Sequence, residues 1–230
     1  MKTKITIVLL SIFFLVGHGL AQDFKTDLKK ASLAYMQSEN IDSEFEVVNY
    51  FREQDMKPEK STYRLKKRGG SYRYDIGGIK TIIGDGYTII HHAEKAILAC
   101  NKNSGATAIK KLNVVDIDKM TNNYKEIIYK GIIKGKKLYV LKNSKLIFST
   151  VEIYLNATTG LVEKTVQHYN ESLESKMLKV ETITRKMDLQ PTFSKDTFSI
   201  KKYVKISSTQ EVKLQPAYAQ NQLIVGHGLK

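Results

Sequence analysis

From Ile41 onward the apolar residues of this chain fall at alternate positions, in short runs rich in Val, Ile, Tyr and Thr. A period of two puts successive side chains on opposite faces of an extended strand, which commits most of the chain to half-buried β-sheet. The spacing predicts strands over Ser43 to Phe51, Ser61 to Lys67, Tyr72 to Ile76, Ile79 to Ile83, Tyr87 to His92 and Lys95 to Ala99. Further strands are expected over Glu126 to Lys134, Lys137 to Leu141, Leu146 to Leu155, Leu161 to Tyr169 and Met177 to Lys186. Gly84-Asp85-Gly86, Gly135-Lys136 and the stretch from Asn156 to Gly160 supply residues that tolerate positive φ between these runs, and Asn170 to Lys176 reads as a hairpin tip. The sheet is therefore expected to be mostly antiparallel.

Helical spacing is confined to the beginning. Phe24, Leu28, Ala31 and Tyr35 share one face of an amphipathic helix over Asp23 to about Ser38. Ser104 to Met120 has weaker periodicity and is read as one or two short helices between strands. Phe198 to Val204 is read as a last strand, and the mixed, polar stretch from Ser207 to Lys230 as a tail that is disordered or packed on an edge.

The first residues have a different character. Met-Lys-Thr-Lys precedes an apolar run from Ile5 to Val16, and Gly19-Leu20-Ala21 precedes the polar Gln22-Asp23. A charged start, a short apolar stretch and small residues at the cleavage positions form the pattern of a secretory signal peptide, too short for a membrane span. No cysteine follows at a lipidation position, so the exported chain is expected to be free. The expected organisation is a leader over 1–21, one domain over 22–205 and a C-terminal tail or edge segment over 206–230. The lone Cys100 excludes an intramolecular disulfide, so packing must hold the fold, and after Ile97-Leu98-Ala99 it reads as a buried small hydrophobe.

The balance of 37 Lys and Arg against 23 Asp and Glu, a formal net charge of +14, makes the protein strongly basic. The charges lie along the chain in Lys-Lys pairs with no dense arginine block, the pattern of a solvated surface rather than a nucleic-acid groove. In an exported protein the acidic partners expected are an anionic membrane surface, acidic glycans or another protein, while an unspecialised basic surface is the plain alternative. Aromatic and basic residues do interleave over Tyr63 to Tyr74, but strict alternation separates them onto opposite faces, so no nucleic acid is expected.

No pattern of catalysis stands out. The sequence contains no Gly-x-Ser-x-Gly, His-Glu-x-x-His, Walker or Gly-x-Gly-x-x-Gly motif. His91 and His92, adjacent on a strand, point to opposite faces and cannot easily share a metal. The expectation is a protein that is not an enzyme, with no catalytic residue, no metal and no cofactor.

The β pattern instead suggests a curved sheet with one apolar concave face. Phe45, Val47, Tyr63, Leu65, Tyr72, Tyr74, Ile76, Ile89, Val151, Ile153 and Leu155 are assigned to it. With one clear helix to cover such a face, either these residues close into a core or they line a cavity suited to an acyl chain. Periodicity alone favours the closed core.

The run Tyr63-Arg-Leu-Lys-Lys-Arg-Gly-Gly-Ser-Tyr-Arg-Tyr-Asp, followed by Ile82-Ile83-Gly84-Asp85-Gly86-Tyr87-Thr88-Ile89-Ile90, resembles the periplasmic outer-membrane lipoprotein carrier family, the LolA-like proteins. Val151-Glu-Ile-Tyr-Leu-Asn-Ala-Thr-Thr-Gly-Leu-Val-Glu-Lys-Thr-Val resembles a later strand, turn and strand of that family. The resemblance covers most of residues 23 to 200. It implies an α+β, mostly antiparallel fold: a half-open, unclosed β-barrel with an N-terminal helix and short helices over an apolar cavity. It also implies a monomer, soluble in the periplasm, that binds the acyl chains of a lipoprotein or lipid and shuttles it between donor and acceptor membranes or membrane proteins. The alternative on the same fold is a lipid-sensing or secretion-accessory module without carrier activity. By position Arg68 matches the family's lid-contacting arginine, although Gly69 replaces the usual Pro and alternation from Leu65 turns Lys67 inward instead. His91 and His92 stand where the family tends to carry aromatic residues.

Overall fold

The computed structural model describes residues 24–102 and 117–226. The expected leader and most of the Ser104 to Met120 stretch lie outside them. Helix α1 runs over 24–37 and opens the fold, as the spacing of Phe24, Leu28, Ala31 and Tyr35 predicts. It leads into β1 (Asn40–Phe51), β2 (Glu59–Arg68), β3 (Ser71–Ile76), β4 (Ile79–Gly84), β5 (Tyr87–His92) and β6 (Ile97–Lys102). A short helix α2 (Ile117–Asn123) precedes β7 (Glu126–Ile133), β8 (Lys136–Lys142), β9 (Phe148–Asn156), β10 (Val162–Tyr169) and β11 (Met177–Asp188). The chain ends in β12 (Val204–Ile206), β13 (Val212–Leu214) and β14 (Gln222–Val225).

Twelve strands form one sheet in the order β14-β6-β5-β4-β3-β2-β1-β11-β10-β9-β8-β7, while β12 and β13 pair separately. The order begins at β14 and ends at β7. The fold class is therefore the expected one, mostly antiparallel β with an N-terminal helix. Hairpin chemistry accounts for much of the pairing. Asp85 and Gly86 both take positive φ (52° and 81°), as do Lys134 and Gly135 (50° and 75°), the geometry of two-residue turns that match strand twist. At the β9–β10 turn the Asn156 carboxamide oxygen accepts from the amides of Thr158 and Thr159, and Gly160 closes the turn at φ 72°.

Two compact units divide the chain. Unit 1 takes in residues up to Ala34, Val48–Glu59 and the stretch ending at Ile183; unit 2 takes in Tyr35–Val47, the stretch beginning at Lys60, and the chain from Thr184 onward. In unit 1, Phe24 and Leu28 of α1 pack on Tyr139, Leu141, Val151, Ile153 and Leu155, with Tyr129 and Val162 at the margin. Asp27 fastens this helix, accepting from Lys137 at 2.7 Å and from Tyr139 at 2.8 Å. Burial works to raise the Asp27 pKa, but these two donors and the Lys137 charge outweigh it and hold the carboxyl below its ordinary value.

Unit 2 differs from expectation at its end. Phe198 to Val204 is not a strand: residues Lys195–Phe198 and Ile200–Lys202 form 3-10 turns, and extended backbone resumes at Val204. The polar residues after them return as β13, and then as β14, which lies parallel to β6 at the end of the sheet. Gly84 makes this packing possible, because a Cβ there would stand 2.5 Å from the Phe198 carbonyl oxygen. No helix among the described residues is long and apolar enough to cross a membrane.

Candidate functional site

Register decides which side chains of unit 2 share a face. Leu65, Tyr74, Thr81, Ile90, Ala99 and Ile224 are successive partners across β2, β3, β4, β5, β6 and β14. At the usual strand spacing this row spans roughly 24 Å. Beside it runs a row of Tyr63, Ile76, Ile79, His92, Ile97 and Gln222, and on the other side Lys67, Tyr72, Ile83, Thr88 and Asn101. The face is graded. Tyr72 and Ile83 are buried, whereas Ile76, Ile79, Ile90 and Ile224 stay 42, 37, 38 and 47% exposed. Tyr72 and Tyr74 stack with centroids 6.1 Å apart, and burial, helped by the neighbouring Tyr72, raises the Tyr74 hydroxyl above its ordinary pKa.

The other face of the same strands is sealed. Ile82, Ile89, Leu98 and Cys100 pack on Ile200, Tyr203, Val204 and Val212 from the C-terminal segment. His91 lies against two tyrosine rings of that segment, Tyr203 at 6.2 Å and Tyr218 edge-on at 5.2 Å. Burial, then Lys80 and His92, hold its pKa below the ordinary value. Burial pushes the Cys100 thiol up to about 11 and drives the rise of the Tyr203 hydroxyl to about 12, so neither is poised for chemistry at neutral pH.

Ile89 thus does not join Tyr72 and Tyr74. The Asp85-Gly86 turn pairs Ile82 with Ile89, while Tyr72 pairs with Ile83 and Ile83 with Thr88, which turns Ile89 toward the C-terminal segment. Tyr63, Leu65, Tyr72, Tyr74 and Ile76 do share one face. Asp42 and Glu44 of β1 pair with Lys66 and Arg64, which point away from Leu65. By alternation Phe45 and Val47, both half-buried, turn toward the Leu65 side. Val151, Ile153 and Leu155 belong to unit 1, where they are nearly buried under α1 as a filled core.

Arg68, matched by position to the lid-contacting arginine, has its guanidinium over the Phe198 ring at 4.9 Å, on the side of the sheet that carries the C-terminal segment. Lys67, one residue earlier, donates to the Ser38 carbonyl at 2.8 Å, just past the end of α1, and the Gly69 amide donates to the Glu39 carbonyl. A cation at a helix C-terminus meets the carbonyls that lack an intrahelical partner. The contact by alternation from Leu65 is therefore the one observed.

Two hollows open on unit 2, of about 290 and 490 Å³. The smaller sits at the Gly77-Gly78 turn with Arg64, Asp75, Lys80 and His91, and the larger lies between Asp85, Tyr87 and the C-terminal segment. Of the residues assigned to the apolar face, only Ile76 lines either hollow. The face shared by Tyr74 and Ile76 is extended by Ile79, Thr81, Ile90, Ala99 and Ile224, and four of its isoleucines stay more than a third exposed. Among the described residues no group of three or more His, Cys, Asp or Glu is gathered so as to hold a metal ion.

No family model matches the chain, and no curated protein matches it. Among solved structures it is similar to an uncharacterized conserved protein from Thermus thermophilus, at 12% identity over 89% of this chain and 99% of that one, with a TM-score of 0.47. It is also similar to a LolA superfamily protein from Nitrosomonas europaea (9% identity, 76% and 97% covered, TM-score 0.34). A further similar structure is the Mycobacterium tuberculosis lipoprotein LppX (6% identity, 75% and 98% covered, TM-score 0.46). A LolA superfamily protein is thus among the solved structures to which the chain is similar.

Proposed function

We propose that this protein is an exported carrier that holds the acyl chains of a lipid or lipoprotein on the apolar face of unit 2 and moves it between membranes without covalent chemistry. One observation carries this reading: on the same strands, one face is sealed by the chain's own C-terminal segment, while the other leaves four isoleucines more than a third exposed. Contiguous apolar surface of that kind is uncommon on a soluble protein and marks a place where something apolar binds. Each methylene withdrawn from water contributes about 0.8 kcal/mol, so one acyl chain laid along the row from Leu65 to Ile224 is held without any polar contact. The LolA-like motifs and the leader pattern support a periplasmic, soluble site of action. The basic surface would favour encounter with anionic membranes or with donor and acceptor proteins.

The test is a lipid extract of protein purified from its own cell envelope, analysed by mass spectrometry beside the variant Ile90→Glu. Stoichiometric lipid on the natural protein and its loss from a folded variant is the expected result. Equal lipid on both, or none on either, overturns the assignment. A sensing module on the same face would pass this test too, but would fail to transfer its lipid to acceptor vesicles.

A further inference from the structure

At the far end of the sheet from β14, strand β7 closes unit 1 with an edge that no further strand covers among the described residues. Its last residues and the turn read Tyr129-Lys130-Gly131-Ile132-Ile133-Lys134-Gly135-Lys136. Tyr129 pairs with Tyr139, whereas Ile132 pairs with Lys137 and Ile133 with Lys136, so one extra residue is accommodated between Tyr129 and Ile132. Gly131, at φ 91°, absorbs the bulge. Beyond it the two isoleucines lie at the hairpin tip on opposite sides of the strand, 60 and 45% exposed. Neither joins the core that α1 covers, although Tyr129 and Ile127 earlier on the same strand do.

The charges around this tip are unequal. Lys136 is neutralised by Glu163 at 2.8 Å and Lys137 by Asp27 at 2.7 Å. Lys130 and Lys134, which flank the isoleucines, are exposed, and no carboxylate pairs with either among the described residues. The tip therefore offers two adjacent apolar side chains inside a pair of uncompensated cations.

We propose that the β7–β8 hairpin tip is a membrane-docking element that inserts Ile132 and Ile133 at the headgroup boundary of an anionic bilayer while Lys130 and Lys134 contact acidic headgroups. The chemistry matches on both counts. Apolar side chains leave water at the acyl boundary, and each lysine close to an anionic surface adds about fivefold in affinity. Lysines on an edge strand also deter pairing with another chain, which makes a lipid surface a better fit here than a second copy of the protein. This inference does not depend on the acyl-binding face, since vesicle docking and bound lipid are read separately.

The experiment is sedimentation of the purified exported protein with vesicles of phosphatidylcholine, alone or with about 30% phosphatidylglycerol, enough anionic lipid to set up a negative surface potential. Docking predicts binding to the anionic vesicles only. The pair Ile132→Asp with Ile133→Asp, and the pair Lys130→Glu with Lys134→Glu, should each reduce binding by more than about tenfold. The control pair Lys201→Glu with Lys202→Glu makes the same charge change at exposed lysines of unit 2 and should stay within about twofold of the natural protein. Absence of binding by the natural protein, an equal loss in the control pair, or undiminished binding by the isoleucine variants overturns the proposal. A natural protein that is dimeric and becomes monomeric with the isoleucine variants also overturns it, in favour of contact between copies.

Discussion

The two units bury their apolar residues to different extents. In unit 1, Val151, Ile153 and Leu155 meet Phe24 and Leu28 of α1 and none is more than 7% exposed. In unit 2, the row through Tyr74, Ile90 and Ile224 contains side chains of the same kind, yet Ile90 and Ile224 remain 38 and 47% exposed. Alternating hydrophobicity is equally clear in both. The difference comes from where chain distant in sequence lands: within unit 1, α1 covers these residues of β9, whereas within unit 2 the C-terminal segment covers the side of β4, β5 and β6 away from the row through Ile90.

The sharpest break of this comparison is a matched truncation. Leu155→Ala should cost about 2–5 kcal/mol by urea denaturation, because it opens a cavity in a filled core, whereas Ile90→Ala should cost under about 1 kcal/mol. Equal costs would mean that the two faces are not different in kind. Next in size is Gly84→Ala. Its Cβ would meet the Phe198 carbonyl at 2.5 Å, so a loss of about 1–3 kcal/mol is expected in thermal melts, and a neutral effect would mean the seal does not rest on β4.

Asp27→Asn tests the fastening of α1. With a side chain only 14% exposed and two donors, Asp27 should contribute about 1–2 kcal/mol near pH 7. Its folded pKa lies below the ordinary 3.8, so that stability is present above this value and is lost as pH falls through the folded pKa. The gap between natural protein and variant should therefore close below about pH 3.8, and a gap constant down to about pH 2 would contradict the ion pair. The smallest effect is expected for Lys67→Met, about 1 kcal/mol or less, with faster amide exchange confined to the end of α1. Arg68→Met should leave that exchange unchanged.

Much of this is legible in the sequence. The face of α1, the strands and the Asp85-Gly86 turn follow from periodicity and turn chemistry. Ile89 escapes that reading because Thr88-Ile89-Ile90 carries two adjacent apolar residues, so alternation within β5 is ambiguous. Counting partners outward from the two-residue turn resolves it. Ile79, Ile90 and Ile224 escape it for a related reason: their shared face depends on cross-strand register, and on β14 joining β6 in parallel after strands β7 to β13 have intervened. The seal over Cys100 is equally hidden. Tyr203, Val204 and Val212 are divided by Ser207 to Gln210, which reads as a tail. The positioning lysine is signalled, since strict alternation from Leu65 selects Lys67 over Arg68.

The chain contains no tryptophan, so a single introduced indole reports on one place alone. Tyr74→Trp places it on the open face of unit 2, and Tyr139→Trp places it in the covered core of unit 1. Titration with a brominated fatty acid should quench the fluorescence of the indole introduced on the open face saturably while leaving that of the indole in the covered core unchanged. Quenching in the covered core alone, or in neither place, would contradict an acyl-binding face built on β2 to β6.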